Sequence, residues 1–492
     1  MTTPPSLRPL DGRYSLAGEP RPPVPEATLE VCSPVDGSVV GRVHEYTHSE
    51  IDAVVDACAS AQPAWADAPL DERARLLHRF ADLLEAHADE LAELLVMEIA
   101  KARKDSRDEV IRSADFVRFT AEEAKRIIGD AQFSDAFPKQ HRNKLAISYR
   151  VPMGTVLAIP PFNYPINLGV SKIAPALASG NAVVLKPPTQ GALAGTLMGD
   201  LLHDAGIPPG VMHVVTGRGS RIGDHLVQHP RINMITFTGS SETGRALARK
   251  AGMVPLLLEL GGKDAAIVLG DADLEVAAGD IVSGAFAYSG QRCTAVKRVL
   301  VVRSVAGELV SLLAERIGRL SVGDPRDDCV VTPLVDPESA VRAEQMVRQA
   351  TELGASLVCG GGRRDNLVEP TLLDQVTEAM DVAWVEPFAP LLPVIRVGSA
   401  AEAVELSNRS EYGLQAAIFS RDVDVATQIA LRLDVGTVQV NGRTARGPDH
   451  FPFIGTKSSG MGTQGVRYSI EAMTRMKSMV LNMRPLDLEA VR

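Results

Sequence analysis

The sequence has few cysteines, few aromatic residues and no long apolar run. Its five cysteines are odd in number and show no CxxC or metal-finger spacing, which argues against a disulfide framework and favours reduced thiols in a cytosol. No segment approaches the ~20 apolar residues of a membrane-spanning helix. The N-terminus also lacks the apolar core of a signal peptide. We therefore expect a cytoplasmic protein.

The sequence also lacks an excess of positive charge, because 61 acidic residues outnumber 51 lysines and arginines and the net charge is -10. Nucleic acid and anionic membrane surfaces need a concentrated basic face, so neither is an expected partner. A small anionic substrate would have to be bound by a local group of arginines. The ten histidines form no HExxH motif and no cluster with ligand spacing, and we predict no metal.

At 492 residues, 45% of them hydrophobic, the chain is long enough for two or three domains. Residues 1–28 are rich in proline and poor in apolar residues, which indicates an N-terminal arm without its own core. Strands and helices then alternate over residues 182–260 and again over residues 264–470. This alternation predicts an α/β fold with parallel sheets, which bind nucleotides at the carboxyl ends of their strands.

Cys293 follows a glycine, a glutamine and an arginine in the segment Tyr288-Ser289-Gly290-Gln291-Arg292-Cys293-Thr294. A lone cysteine is usually a small buried hydrophobe. Here the tight polar approach favours a nucleophile, and the charge of Arg292 next to it would lower the pKa of the thiol. Glu259 ends an apolar run on the other side of a predicted domain junction at Gly261-Gly262, and it is a candidate general base.

A strand-to-helix turn with Gly239, Ser240 and Gly244 could direct backbone N–H groups at a pyrophosphate. The turn lacks a full GxGxxG motif, so the pattern is weak when taken alone. Its position within the first alternating region favours a nucleotide site.

These stretches resemble the aldehyde dehydrogenase superfamily over nearly the whole chain. Ile159-Pro160-Pro161-Phe162-Asn163-Tyr164-Pro165, Leu185-Lys186-Pro187-Pro188-Thr189-Gln190-Gly191 and the eleven-residue stretch ending at Thr294 are similar to its non-phosphorylating, NADP-dependent glyceraldehyde-3-phosphate dehydrogenases. The resemblance implies a dinucleotide-binding domain (29–130 and 153–260), a catalytic domain (261–470), a small oligomerisation sheet (131–152 and 471–492) and a homotetramer.

The resemblance also assigns roles to single residues. Cys293 would attack the aldehyde, the Asn163 amide and the Cys293 N–H would hold the oxyanion, and Glu259 would activate water. NADP would bind Lys186 and Thr189, because relatives that prefer NAD commonly carry at the position of Thr189 a glutamate that would repel a 2'-phosphate. Glu386 would bind the nicotinamide ribose beside Phe388, where Ala389 replaces a glycine. The expected ligands of the substrate's phosphate and hydroxyl are Arg112, Tyr164, Arg292 and Arg446.

The function implied is oxidation of glyceraldehyde 3-phosphate to 3-phosphoglycerate by NADP, without inorganic phosphate. A different semialdehyde dehydrogenase, such as one for succinate semialdehyde, could use the same arginines for a carboxylate. A non-catalytic binding protein of this fold is a third reading, which the presence of Cys293, Glu259 and Asn163 disfavours. A coenzyme-A-acylating enzyme is disfavoured because Glu259 would promote hydrolysis of its thioester.

Overall fold

The computed structural model describes residues 12–16, 19–127 and 129–484. The predicted arm (1–28) and the predicted segment 471–492 therefore lie partly outside the described residues. Within the described part of the arm, Tyr14 stacks on His44 with ring centroids 3.7 Å apart, and the Tyr46 hydroxyl donates to the Ser15 carbonyl at 2.7 Å. This part of the arm packs on the neighbouring domain.

The helices, in chain order, are α1 (His48–Asp67), α2 (Leu70–Ala86), α3 (Ala88–Ile99), α4 (Arg103–Ala124), α5 (Asn167–Ala178), α6 (Ala192–Asp204), α7 (Gly219–Val227), α8 (Ser241–Lys250), α9 (Leu274–Phe286), α10 (Arg303–Ile317), α11 (Pro337–Glu352), α12 (Ala400–Asn408), α13 (Val423–Ala430) and α14 (Val466–Ala472). The strands are β1 (Tyr14–Leu16), β2 (Glu19–Arg21), β3 (Thr28–Cys32), β4 (Val39–His44), β5 (Asp130–Phe133), β6 (Lys144–Pro152), β7 (Thr155–Ile159), β8 (Ala182–Leu185), β9 (Met212–Val214), β10 (Met234–Thr238), β11 (Leu256–Glu259), β12 (Ala265–Val268), β13 (Arg298–Val302), β14 (Ser356–Cys359), β15 (Arg363–Arg364), β16 (Leu367–Val368), β17 (Thr371–Asp374), β18 (Leu391–Val397), β19 (Tyr412–Gly413), β20 (Gln415–Phe419), β21 (Thr437–Val440), β22 (Phe453–Ile454), β23 (Thr456–Lys457), β24 (Gly460–Met461), β25 (Thr463–Gln464) and β26 (Thr474–Asn482).

The first sheet has the strand order β24-β11-β10-β7-β8-β9 and is parallel except for β24. Successive residues of a strand point to opposite faces. Val183 and Leu185 accordingly join one apolar core with α2, α4, α5 and α6, whereas Ala182 and Val184 join a second core with α1, α7 and α8. Helices cover both faces, as the alternation of strands and helices predicts.

The second sheet has the order β14-β17-β18-β13-β12-β20-β21, with β14 antiparallel and the other pairs parallel. It also separates two buried cores, one on each face. The predicted α/β fold with two parallel sheets is thus confirmed. The domain boundaries stay a prediction. The strand pairing adds that Gly460–Met461, within the segment 261–470 predicted as catalytic, lies in the first sheet.

A third, antiparallel sheet has the order β26-β6-β5 and joins Thr474–Asn482 to Lys144–Pro152 along their whole length. Apolar side chains on β26 are about half exposed, among them Met476, Met479 and Val480. Within the described ranges, no helix combines the length and the apolar character needed to cross a membrane.

Candidate active site

The carboxyl ends of the first sheet bring several predicted residues to one edge. Glu259 ends β11, the loop carrying Asn163 follows β7, and Lys186 follows β8. Cys293 precedes β13 of the second sheet, so the predicted nucleophile approaches this edge from the second sheet. Cleft positions between domains are common ligand sites.

The loop before Cys293 contains a sharp turn. After α9, Tyr288 (φ 50°), Ser289 (φ 54°) and Gly290 (φ 69°) are successive residues in the left-handed region. A Cβ at Gly290 would lie 2.5 Å from the Ala389 carbonyl oxygen, so a side chain has no room there. The Ser289 hydroxyl donates to the Thr332 carbonyl at 2.8 Å and fixes the strained backbone. This turn places the Cys293 thiol at the end of a cavity.

Glu259 lies beside the thiol and is almost fully buried. The Cys293 Sγ atom is 3.7 Å from Glu259 Oε1, within reach of a weak S–H hydrogen bond. The other oxygen, Oε2, is 2.6 Å from an Arg446 guanidinium nitrogen and accepts from the Thr238 hydroxyl at 3.2 Å. One carboxylate oxygen therefore faces the nucleophile, and the second is held by the protein.

The charge around Cys293 differs from the sequence prediction. Burial raises the pKa of the Cys293 thiol above its ordinary value, and the Glu259 carboxylate raises that pKa further. The cations that lower it are Lys297 and Arg446. Arg292, expected to do so, instead donates to the carbonyls of Ala287 (3.2 Å) and Gly284. The strained turn directs its guanidinium back toward α9.

Asn163 is buried beside the nucleophile loop, and its side-chain Nδ2 donates to the Gln291 carbonyl at 2.7 Å. The amide nitrogen carries a second N–H that could serve an oxyanion. Two buried charges fix the segment. Lys101 donates to the Asn163 carbonyl at 3.2 Å and to Glu109 at 2.5 Å, and Glu109 accepts the backbone N–H groups of Ile166 and Asn167, at 3.0 and 2.9 Å, at the start of α5.

The four predicted substrate residues line one cavity of about 270 Å³ together with Cys293 and Glu259; they are Arg112, Tyr164, Arg292 and Arg446. Asp449 holds Arg112 in a two-point contact at 2.6 and 2.8 Å, and Gln464 accepts from Arg446 at 2.9 Å. Each guanidinium carries more N–H groups than these bonds use. The cavity can therefore still present donors to an anionic group near the thiol.

The Lys186 amine is nearly buried and donates a hydrogen bond to the Pro187 carbonyl at 3.2 Å. Burial lowers the pKa of Lys186 to about 8. An anion placed there would restore the favoured ammonium form. Thr189, in the same loop, is partly exposed. These residues fit the 2'-phosphate of NADP.

The turn at β10 and α8 also fits a nucleotide. The Ser240 hydroxyl caps α8 by accepting the Thr243 N–H at 3.2 Å. A Cβ on Gly239 would lie 2.4 Å from the Phe237 ring, and one on Gly244 would lie 2.4 Å from Leu260. Both glycines are thus needed for local packing. The N-terminus of α8, which they flank, is the kind of helix end that can bind phosphate.

Glu386 and Phe388 lie on a loop that faces the junction of the two domains. Phe388 (φ 48°) contacts Phe162 edge to face, with ring centroids 5.8 Å apart. Ala389, at the position where the superfamily commonly has glycine, lies outside the left-handed region and is buried. The replacement therefore causes no backbone strain.

Two lysines near the site were missed by sequence reasoning. Lys172 is buried and donates to the Thr238 hydroxyl at 2.6 Å, and burial lowers the pKa of Lys172 to about 7. It is the one charged residue of α5, all of whose residues are buried, a signal that could have identified it. Lys297 contacts the Cys293 carbonyl. Across the part of the chain that the structure describes, no group of His, Cys, Asp and Glu could hold a metal ion.

A thiol beside a carboxylate, at the carboxyl ends of parallel strands where nucleotides commonly bind, is an arrangement typical of nucleotide-dependent oxidoreductases. The model of the Aldehyde dehydrogenase family matches residues 23–479, and the chain belongs to that family. The predicted family resemblance is confirmed.

Individual relatives are similar over nearly the whole chain. An NADP-dependent glyceraldehyde-3-phosphate dehydrogenase of Triticum aestivum is 50% identical over 96% of this chain and 96% of the relative. One of the same name from Streptococcus equinus is 49% identical over 92% of this chain and 95% of the relative. The crystal structure of an NADP-dependent glyceraldehyde-3-phosphate dehydrogenase from Bacillus halodurans C-125 complexed with NADP superposes with a TM-score of 0.95 at 50% identity, covering 96% of this chain and all of that one.

Proposed function

We propose that this enzyme oxidises glyceraldehyde 3-phosphate to 3-phosphoglycerate with NADP and without inorganic phosphate. The observation that carries the proposal is the shared cavity, in which Cys293 lies among Arg112, Arg292 and Arg446. The similarity to enzymes of that name supports both the substrate and the cofactor. Guanidinium groups suit phosphate oxygens because their N–H donors form a planar fork.

The residues divide the chemistry into two halves. In the first, Cys293 in its thiolate form bonds through sulfur to the aldehyde carbon while the Asn163 amide and the Cys293 N–H stabilise the resulting oxyanion. NADP, when bound, supplies the hydride acceptor for this carbon. In the second half Glu259 takes a proton from water, the water oxygen bonds to the thioester carbon, and the carbon–sulfur bond breaks to release acid and thiolate.

The experiment is to follow NADPH formation from glyceraldehyde 3-phosphate in phosphate-free buffer, beside succinate semialdehyde and unphosphorylated glyceraldehyde. We expect glyceraldehyde 3-phosphate to give a kcat/KM at least about tenfold above both, because its phosphate offers three oxygens and up to two charges to the cavity arginines, whereas a carboxylate offers two oxygens and one charge and glyceraldehyde offers no anion. A preference for succinate semialdehyde would assign the same cavity to a carboxylate. Dependence on coenzyme A would contradict water as the acceptor.

Thr189→Glu should reverse the preference for NADP. A carboxylate near Lys186 would pair with its ammonium and repel the 2'-phosphate, so we expect the KM for NADP to rise about tenfold while that for NAD changes little. Steady-state kinetics with both cofactors measures this. Thr189→Gln is the matched control, because glutamine has the size of glutamate without its charge. It should raise the KM for NADP by a smaller factor. Equal changes for both cofactors would show that Thr189 does not lie in the discriminating pocket.

We also propose a cytoplasmic homotetramer. The half-exposed apolar residues of β26, which include Met476, Met479 and Val480, favour association of copies through the third sheet, because contiguous apolar surface is rare on monomers. The five cysteines are free thiols, which suits a reducing compartment.

A further inference from the structure

A buried lysine, Lys297, joins two loops of the site. Its backbone N–H donates to the Asp264 carbonyl at 2.9 Å, just before β12, which fixes the residue at the start of β13. Its side chain is 2% exposed and turns back along the nucleophile loop. The Nζ atom donates to the Cys293 carbonyl oxygen and lies 3.0 Å from Glu386 Oε1. One ammonium group thus bridges the nucleophile's own peptide group and the carboxylate expected to face the cofactor.

Glu386 is fixed from a second direction as well. Its Oε1 also accepts the Gly262 N–H at 3.1 Å, and a Cβ on Gly261 would lie 2.2 Å from its Oε2. The glycine pair therefore lets the carboxylate approach the domain junction, where Lys297 neutralises it. A lysine suits this place because its ammonium offers three N–H donors to different acceptors.

The charges that face Cys293 explain why its thiolate needs a cation nearby. Glu259 and Asp264 both disfavour the thiolate, and Lys297 and Arg446 both favour it. Arg446, however, is paired with Glu259 at 2.6 Å, so much of its field is neutralised locally. Lys297 is the cation bonded to the Cys293 peptide group itself. The same Nζ atom also pairs with Glu386, but that carboxylate is 15% exposed whereas Glu259 is 2% exposed, so solvent screens the charge of Glu386 more than that of Glu259.

We propose that Lys297 is a positioning residue of the active site, holding the Cys293 backbone and the Glu386 carboxylate in a fixed relation and keeping a positive charge beside the nucleophile. Asn163 holds the same loop at a second point, through the Gln291 carbonyl. The inference rests on the proposed roles of Cys293 and Glu386 but not on the identity of the aldehyde.

The first test measures the thiol directly. Alkylation of Cys293 by iodoacetamide, followed by mass spectrometry of its peptide as a function of pH, reports the thiolate fraction without substrate or cofactor. Lys297→Met should move the midpoint upward by about one pH unit and lower kcat at least about tenfold. Lys297→Gln, which keeps a polar group without charge, should shift the midpoint in the same direction. It replaces Lys297→Met as the test variant if Lys297→Met does not fold.

The matched control is Lys263→Met. Lys263 is 3% exposed, and its amine has no hydrogen-bond partner among the described residues. It is another buried lysine of the same region without a bond to Cys293 or Glu386. Its replacement should leave the alkylation midpoint unchanged. An unchanged midpoint in both Lys297 variants would overturn the proposal, as would an equal shift in Lys263→Met, because the loss of any buried lysine side chain in this region would then be responsible.

The second test addresses the link to Glu386. Glu386→Gln should weaken NADP binding about tenfold, measured as the Kd in the absence of aldehyde, and should leave the alkylation midpoint near the wild-type value. Lys297→Gln combined with Glu386→Gln should bind NADP no more weakly than Glu386→Gln alone, because the lysine acts on the cofactor through that carboxylate. Additive losses would overturn this link. A wild-type preference for another aldehyde would change the proposed substrate and leave both results standing.

Discussion

Glu259→Gln should form close to one NADPH per active site in a burst and then nearly stop. The substitution keeps the size of the side chain and its contact with Thr238, but an amide cannot take a proton from water. Hydride transfer precedes the step that needs this base, so the thioester on Cys293 should accumulate. General bases contribute roughly a hundredfold to ten-thousandfold. We expect the steady-state rate to fall by about a thousandfold or more.

Rapid-mixing absorbance of NADPH gives the burst amplitude, and mass spectrometry of the quenched enzyme detects the acyl group on Cys293. Cys293→Ala is the control and should show neither burst nor adduct. Because the thiol lies 3.7 Å from Glu259 Oε1, the carboxylate could also accept the proton of the thiol. Loss of the burst in Glu259→Gln would assign the carboxylate to thiol activation and contradict a role confined to water.

The placement of Glu259, Asn163 and Lys186 could be predicted from the sequence. Glu259 ends a short buried strand, Asn163 and Lys186 follow two others, and parallel strands present their carboxyl ends at one edge. The first sheet shows this arrangement directly. Local patterns determine which residues end a strand, and the right-handed α/β topology then brings those ends together.

The hydrogen-bond and ion-pair partners of the cavity arginines could not be predicted, because they depend on tertiary contacts between distant segments. Asp449 holds Arg112 across 337 residues, and Arg446 reaches Glu259 across 187. No local pattern around a helical arginine such as Arg112 distinguishes a solvated charge from one aimed into a cleft. Only the family resemblance indicated its place.

Arg292 shows how adjacency in sequence can mislead. It neighbours Cys293, yet its guanidinium bonds to the carbonyls of Ala287 and Gly284. The reason is the left-handed turn at residues 288–290, which reverses the direction of the chain before the nucleophile. Lys297 is four residues beyond the nucleophile and contacts its carbonyl. The positive charge beside the thiol therefore comes from Lys297, which leads into β13, and from Arg446, and not from the neighbour in sequence.

Arg446 has two possible tasks in the cavity. It pairs with Glu259 at 2.6 Å in this structure, and it lines the space where the phosphate of the substrate is proposed to bind. If phosphate recognition is its main task, its removal should harm only the phosphorylated substrate. If its main task is to hold Glu259, every aldehyde should be affected, because hydrolysis of the thioester is common to all.

We expect Arg446→Ala to lower kcat/KM for glyceraldehyde 3-phosphate about a hundredfold, since hydrogen bonds to charged groups contribute about 1.5–3 kcal/mol each. Unphosphorylated glyceraldehyde should change by less than about threefold, because it has no anion for the arginine to bind, and Glu259 keeps its contact with Thr238. For glyceraldehyde 3-phosphate, kcat/KM of Arg446→Lys should lie between the values of the wild type and Arg446→Ala, because an ammonium keeps the charge and loses the planar fork. The measurement is kcat/KM for both aldehydes in the three proteins. A parallel loss with both substrates would show that Arg446 serves Glu259 and would remove it from the phosphate site.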